Sequence, residues 1–440
     1  MLRAPALSGQ HFIVYGLART GLSVLRFLAR SGAGAVAWDE AATARAEAGA
    51  LFPNLPLTDP DRLELKDFDG LILSPGVPLN RHPLARAARA ANLPILGDIE
   101  LFQRARDQLP PHRLVGITGT NGKSTTTALI HHLLAAAGIP ARLGGNIGMP
   151  ILDQVPLPAG GVYVLELSSY QLDLCQSLAA DVAVWTNLTP DHLDRHGDMA
   201  GYFAAKARLF AMQQPGATAV IAADDRWTEQ APGAVPEGVA LVRVSAADIA
   251  PHDQSRWPAL AGPHNAQNIA CAMAAVRALG ISNASIEQGL QSFPGLPHRM
   301  EPVATINGVL FVNDSKATNP ASVAPAIQAY PAIRWILGGQ AKGADLDACL
   351  PHLAAVKAAY VIGEAGPMFA GLLRPFLPVT MSGTLAQAVR DAAGDAVPGE
   401  TVLLSPAAAS FDQFRDFEDR GRAFRAAVEA LSTPAGDTPQ

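Results

Sequence analysis

Short apolar runs alternate with longer amphipathic stretches along the chain, and many of the apolar runs end in a polar or glycine-bearing turn. That rhythm predicts strand–loop–helix units packed around parallel sheets. Residues 11–17 read as a buried strand that runs into Gly16-Leu17-Ala18-Arg19-Thr20-Gly21. A helix over 22–31 and a short strand, Val36-Ala37-Trp38, follow and lead to Asp39. Another strand ends in Leu71-Ile72-Leu73-Ser74-Pro75-Gly76, and Pro94-Ile95-Leu96-Gly97 closes this part of the chain. Residues 98–113, with Pro110-Pro111, read as a linker. Beyond it the pattern predicts strands over 114–117, 161–167 and 182–186 and helices over 128–134, 199–212 and 262–279. Further strands are expected over 309–312, 333–337 and 401–404, then a helix over 415–431 and a disordered tail over 433–440.

The fold class that results is α/β, with three successive domains and no sequence repeat. Residues 1–100 form a Rossmann-like domain, 101–296 a central mononucleotide-binding sheet with a phosphate loop, and 297–440 a second Rossmann-like domain. The chain's 440 residues, 49% hydrophobic and 16% charged, supply ample material for packed cores.

Chemistry concentrates where strands end. Gly119-Thr120-Asn121-Gly122-Lys123-Ser124-Thr125 sits between a strand and a helix. Such a turn offers backbone N–H groups and a helix N-terminus to phosphate, Lys123 to the outer phosphates, and Ser124 or Thr125 to Mg²⁺. Its glycine spacing departs from the usual phosphate loop, with glycines at 116 and 119 and Ile117 where one is expected. Glu166 closes an apolar strand and reads as a metal-bound carboxylate, with a solvated strand-end acid as the alternative. His192 lies in Asn187-Leu188-Thr189-Pro190-Asp191-His192, where a second metal ligand would converge with Glu166. Gly144-Gly145-Asn146-Ile147-Gly148 reads as another close backbone approach. The polar start of the helix near Asn268 suits a nucleotide base or ribose, and ordinary capping explains it almost as well. Residues 16–21 with Asp39 have the layout of a dinucleotide turn, damaged by Ala18 at the middle glycine.

Lysine usage sharpens this picture. Of 33 basic residues, the lysines are Lys66, Lys123, Lys206, Lys316, Lys342 and Lys357, so arginine supplies most generic charge. Lys123, Lys206, Lys316 and Lys342 fall in the motif-like stretches, where a compact ammonium suits phosphate and can also lose its proton. Net charge is −6 without a basic block, which argues against a nucleic-acid surface. Cys175, Cys271 and Cys349 have no metal or redox spacing. With neither a signal-peptide pattern nor a membrane-length apolar run, the expectation is a soluble cytoplasmic protein.

Taken jointly, Gly119 to Thr125, Leu296-Pro297-His298-Arg299, Asn313-Asp314-Ser315-Lys316-Ala317-Thr318-Asn319 and Ser405-Pro406 to Asp412-Gln413-Phe414 resemble the Mur ligase family over nearly the whole chain. The last three resemble its glutamate-adding branch. The phosphate-loop form is shared with folylpolyglutamate synthases and accounts for the odd glycine spacing. The resemblance implies an ATP-dependent amide ligase that adds D-glutamate to UDP-N-acetylmuramoyl-L-alanine through an acyl phosphate, in cytoplasmic peptidoglycan precursor synthesis. ATP and Mg²⁺ are the implied cofactors, the two small molecules the implied partners, and a monomer the implied state. Arg19 and Thr20 would lie near uracil, Ser74, Pro75 and Gly76 near the diphosphate-sugar, and Asn146 near the sugar–peptide arm. Gly119 to Thr125, Asn268, Arg299 and Asp314 would bind ATP. Ser124, Glu166, His192 and a carbamate on Lys206 would hold Mg²⁺, and Lys123, Lys206 and His192 would serve the chemistry. Lys316, Thr318, Lys342, Ser410, Phe411 and Phe417 would surround the amino acid. Two departures stand out: Glu40-Ala41 follows Asp39 where family members can carry Thr-Arg, and Ala408 stands where a cysteine is often found. Contacts at the UDP end are therefore expected to differ. The alternatives are an L-glutamate-adding or folylpolyglutamate-type ligase, a nucleotide-switched binding protein, and a nicotinamide oxidoreductase using Gly16 to Gly21.

Overall fold

Three mainly parallel sheets carry the chain, as the alternation of apolar runs and amphipathic stretches predicts. The computed structural model describes residues 1–249, 254–260, 263–341 and 343–431. The chain divides into two compact units, Met1–Phe293 and Pro294–Gln440.

The first unit holds two sheets. β1 (His11–Tyr15), β2 (Gly34–Trp38), β3 (Gly70–Leu73) and β4 (Ile95–Leu96) lie in the order β2-β1-β3-β4, all parallel. The central sheet contains β5 (His112–Thr118), β6 (Ala141–Gly145), β7 (Gly161–Glu166), β8 (Val182–Trp185), β9 (Thr218–Ala222) and β10 (Ala240–Val244). Their order is β10-β9-β8-β5-β7-β6, again all parallel. β7 and β8 are buried along their whole length, because apolar side chains cover both faces of the sheet. On one face Leu129, Ile130 and Leu133 pack with Ile269, Ala272 and Val276. On the other, Trp185, Leu209 and Phe210 pack with Leu167 and Leu172. A buried leucine or isoleucine contributes roughly 1.5–3 kcal/mol. The chain leaves β5 for the far edge, returns to β7 and then crosses to β8, so a crevice opens at the carboxyl end of β5.

The second unit is built on β11 (Glu301–Ile306), β12 (Val309–Asn313), β13 (Ile333–Gly338), β14 (Val356–Ile362), β15 (Val379–Gly383) and β16 (Thr401–Leu404). The order is β11-β12-β16-β13-β14-β15, with only β11 antiparallel. β11 and β12 form a hairpin through Asn307-Gly308, both with positive φ, as an Asn-Gly turn requires.

Some expectations change. The stretch read as a linker contains the helix Asp98–Ala105, which buries Ile99, Leu101, Phe102 and Ala105. Its Glu100 carboxylate accepts Gln176 N (2.7 Å), Ser177 N (3.0 Å) and Ser177 Oγ (2.8 Å), so this segment is fastened to the central domain. Helices Arg19–Ser31 and Lys123–Ala136 begin earlier than the apolar periodicity suggests, since their first turns are polar and face the loops. β6, β9, β10, β11, β14 and β15 were not among the expected strands. β6 carries Gly144-Gly145, and the edge strand β10 is exposed at most positions, so neither shows a clean pattern. The expected tail, 433–440, lies outside the described residues. Among the described residues no helix is long and apolar enough to cross a membrane.

Candidate functional site

β5 ends at Thr118, and Gly119-Thr120-Asn121-Gly122 turns the chain into the helix Lys123–Ala136. Gly122 caps that helix at φ +77°, and a Cβ there would stand 2.1 Å from Asn268 Oδ1. Asn268, buried on the helix Pro263–Ala278, thus presses on the loop backbone, where only glycine fits without strain. The end of β8 braces the other side. Asn187 O accepts Thr120 N (2.9 Å), Asn187 Oδ1 accepts Asn121 N (2.8 Å), and Thr186 Oγ1 donates to Asn121 O (2.6 Å). Ser124 and Thr125 are buried in the first helical turn, which carries no acidic side chain. Lys123 Nζ folds back to donate to Gly119 O (3.0 Å) and Thr120 O (2.7 Å). Helix dipole, loop N–H groups and ammonium are together the features that can receive a phosphate.

Beside it lies Lys206, fully buried on the helix Met199–Ala211. Its Nζ donates to the same Gly119 carbonyl (2.7 Å) and lies 4.6 Å from the Tyr202 ring centroid. Burial first, and the Lys123 charge second, hold Lys206 well below the ordinary lysine value. Its neutral amine, the nucleophilic form, is correspondingly favoured. Glu166, at the end of β7, is 2% exposed. Its Oε1 accepts Asn146 Nδ2 (2.9 Å), while Oε2 is buried without a hydrogen-bond partner. An unmatched buried carboxylate oxygen is costly, and it fits a cation as its missing partner. His192 sits at φ +53° after β8, exposed, with Nδ1 2.9 Å from Tyr170 OH and Nε2 3.5 Å from Asp191 Oδ2. Desolvation of the ring on its inward side, with the Lys206 and Lys123 charges adding to it, lowers its pKa and favours the neutral form that can bind a metal. Among the described residues no three His, Cys, Asp or Glu side chains gather as a metal cluster. Glu166 and His192 would therefore need a further anionic oxygen.

The N-terminal sheet brings its own strand ends together. Ser74 Oγ donates to Gly16 O (2.8 Å), tying the loop after β3 to that after β1. Pro75 is half-buried and Gly76 exposed. Thr20 is half-buried in the first turn of Arg19–Ser31, and the exposed Arg19 guanidinium donates to Gly148 O, in the loop that carries Asn146. Asp39 spends both carboxylate oxygens on backbone, accepting Leu17 N (2.7 Å) and Ala41 N (2.9 Å). That use favours a structural acid over one reserved for a ribose. Where Glu40-Ala41 lacks an arginine, Arg45 returns one turn later. It donates to Asp39 O (2.6 Å) and Glu40 O (2.9 Å) and lies 4.3 Å over the Trp38 ring. Asn80 Nδ2 donates to Arg195 O (2.8 Å) and Arg195 to Val77 O (2.6 Å), linking this sheet's edge to the 187–196 loop.

In the second unit, Asp314 follows β12 and is buried; burial raises it to about 6. It accepts Ser405 Oγ (2.7 Å) and Met300 N (3.2 Å), and the nearby Arg299 pulls the other way. The half-buried Lys316 places its Nζ 5.5 Å from the half-buried Phe417 ring. Thr318 is half-buried, Ser410 buried and Phe411 68% exposed. Lys342 lies outside the described residues.

Several residues at these sites carried no assigned role in the sequence. Tyr202 stands one helical turn before Lys206, and its OH lies 3.3 Å from Thr120 Oγ1. The i, i+4 spacing to Lys206 was a usable signal. Thr186 and Asn187 had only their strand-end position to mark them, and Arg45 and Arg420 had no local signal.

Three family models match in chain order. "Mur ligase MurD-like, N-terminal domain" covers residues 10–97, "Mur ligase middle domain" 117–276 and "Mur ligase, glutamate ligase domain" 298–408. The chain is 57% identical to the UDP-N-acetylmuramoylalanine–D-glutamate ligase of Novosphingobium aromaticivorans, over 98% of this chain and 97% of the relative. Identity to the enzyme of the same name from Sphingopyxis alaskensis is 55%, over 98% and 100%. The fold matches UDP-N-acetylmuramate-alanine ligase MurC from Thermotoga maritima with a TM-score of 0.58 at 16% identity, covering 96% of this chain and 100% of that one. It also matches E. coli FolC, solved with DHPP and ADP, with a TM-score of 0.55 at 20% identity, covering 77% and 94%.

Proposed function

Because the chain belongs to the Mur ligase family, we propose that it is an ATP-dependent ligase joining D-glutamate to UDP-N-acetylmuramoyl-L-alanine. The observation that carries this reading is the edge of the central sheet, where a phosphate loop, two lysines on one carbonyl and a half-satisfied buried carboxylate converge. The three modules, 1–100, 101–296 and 297–440, would present the nucleotide-sugar acid, the triphosphate and the amino acid respectively.

A carboxylate resists amines, because its charge repels them and oxide is a poor leaving group. Transfer of the γ-phosphoryl forms a carboxyl O–P bond, breaks the P–O bond to ADP and yields an acyl phosphate. The amine of D-glutamate then attacks the carbonyl carbon, and the tetrahedral intermediate expels phosphate as the amide forms. Both steps gather negative charge, so the main task is electrostatic. Lys123 and the N–H groups of Gly119 to Thr125 would hold the phosphates, with Asn268, Arg299 and Asp314 completing the ATP contacts. Lys206 would react as a neutral amine with CO₂, forming an N–C bond and releasing a proton, to give a carbamate. Ser124, Glu166, His192 and that carbamate would hold Mg²⁺, which when bound neutralises phosphate charge. The orphaned Glu166 Oε2 fits this role. Arg19, Thr20, Ser74, Pro75, Gly76 and Asn146 would line the nucleotide-sugar path, with Arg45 added at its outer end. Lys316, Thr318, Lys342, Ser410, Phe411 and Phe417 would receive the amino acid, the cations meeting its carboxylates. The reading includes a cytoplasmic monomer, and three buried, unpaired cysteines suit a reducing compartment.

A coupled assay for ADP and phosphate tests the proposal. Turnover is expected only with ATP, UDP-N-acetylmuramoyl-L-alanine and D-glutamate together. Phosphate release indifferent to either acceptor, or turnover with L-glutamate alone, would overturn it.

A further inference from the structure

Arg420, on the helix Phe417–Leu431, is 1% exposed and among the largest fully buried side chains of the chain. Its five N–H donors have five partners. Nε donates to Ser315 Oγ (3.0 Å), one terminal nitrogen to Gly338 O (3.3 Å) and Ala409 O (3.3 Å), and the other to Ser315 O (2.9 Å) and Ala408 O (3.0 Å). The acceptors belong to the end of β13 and to the loops after β12 and β16. Four are backbone carbonyls and none is a carboxylate. Asp412 acts on Arg420 only through its charge. Burial lowers the guanidinium to about 10, so it remains a cation at neutral pH.

Burying a cation on four carbonyls and one hydroxyl, with no carboxylate to pair it, is an expensive way to fill space. What the planar fork achieves is spacing, since it fixes three chain segments at set distances that one flexible ammonium could not span. Those segments adjoin Lys316 and Ser410, the side chains assigned above to the amino acid. We propose that Arg420 is the positioning residue that sets these three loops in register, and thereby the affinity for the amino-acid substrate. The proposal rests on the ligase reading for the substrate's identity and on the hydrogen bonds for the clamp itself. Asp314, on the nucleotide side, lies in one of these segments but keeps two bonds that Arg420 does not make, from Ser405 and Met300, so nucleotide affinity is expected to depend on Arg420 less than amino-acid affinity does.

The test is R420K in the full chain, with two readouts. In steady-state kinetics KM for D-glutamate is expected to rise about tenfold or more, as charge-assisted hydrogen bonds are lost, with KM for ATP within about threefold. In hydrogen exchange without substrates, the segments 313–319, 338–341 and 405–412 are expected to lose protection together. Ser315→Ala, which removes one acceptor of Arg420 together with the hydroxyl's own bond to Phe417 O (2.9 Å), should move both readouts the same way by less, and it decides the matter if R420K does not fold. Parallel rises in both KM values, a fall in kcat alone, or loosening of a single segment would overturn the clamp. Joint loosening in a protein that ignores D-glutamate would retain the clamp and defeat the ligase reading, so the two failures are distinguishable.

Discussion

The two units make comparable strand-end sites by opposite means. At the central sheet, one contiguous run, Gly119 to Thr125, supplies loop, cap and lysine, and its neighbours only brace it. In the second unit the site is spread over separate loops, gathered by one arginine 105 residues from Ser315. A contiguous site is robust to what surrounds it and legible in sequence. The gathered loops depend on a residue whose hydrogen bonds all go to protein groups and which carries no local mark.

Four substitutions probe that contrast. Lys123→Ala should have the largest effect. It is expected to cut kcat at least 10³-fold, about 4 kcal/mol, while the thermal unfolding midpoint stays near wild type. An equal loss from removing a bracing residue such as Asn187 would show that the contiguous site is less self-sufficient than its sequence suggests. Gly338→Ala probes the gathered site. At φ +127° an added Cβ would stand 2.0 Å from Ile362 O, a backbone atom fixed in the neighbouring strand. About 3 kcal/mol or more of stability should be lost in the second unit, read by urea unfolding.

Asp98→Asn compares buried acids. Burial pushes both Asp98 and Asp314 up to about 6, but Asp98 Oδ1 has no hydrogen-bond partner, whereas Asp314 has Ser405 and Met300. A folded-state value above the ordinary 3.8 means that protonated Asp98 favours the fold below that pH, and that the benefit fades as pH rises through about 6. Asparagine cannot ionise. The variant should therefore be more stable than wild type at pH 8, by at most about 3 kcal/mol, and little changed at pH 4. A stability difference independent of pH would dispose of this account. Gly122→Ala should be mildest, since its Cβ meets the tip of Asn268 rather than backbone, and the side chain can yield. About 1–2 kcal/mol of loop strain and roughly tenfold weaker nucleotide binding are expected, measurable by titration with a fluorescent ATP analogue. If Gly122→Ala proved costlier to stability than Gly338→Ala, the contrast between the units would fail.

The sequence marked the strand-loop-helix rhythm, the phosphate loop, Glu166 and the lysines, because each rests on local periodicity, glycine placement or residue choice. It misread 98–113, where Pro110-Pro111 drew attention from a helix whose Glu100 finds its backbone partner 76 residues on. It also passed over β10 and β15, edge strands whose exposed positions blur the apolar pattern.

What the amino-acid order determined alone was the α/β class and the contiguous chemistry, since backbone turns and helix starts obey nearest neighbours. Only the folded chain decided that Lys206 shares a carbonyl with Lys123, that Glu166 keeps one oxygen unmatched, and that Arg420 binds three segments. Those are facts of burial and of groups distant in sequence meeting in space, which no local pattern encodes.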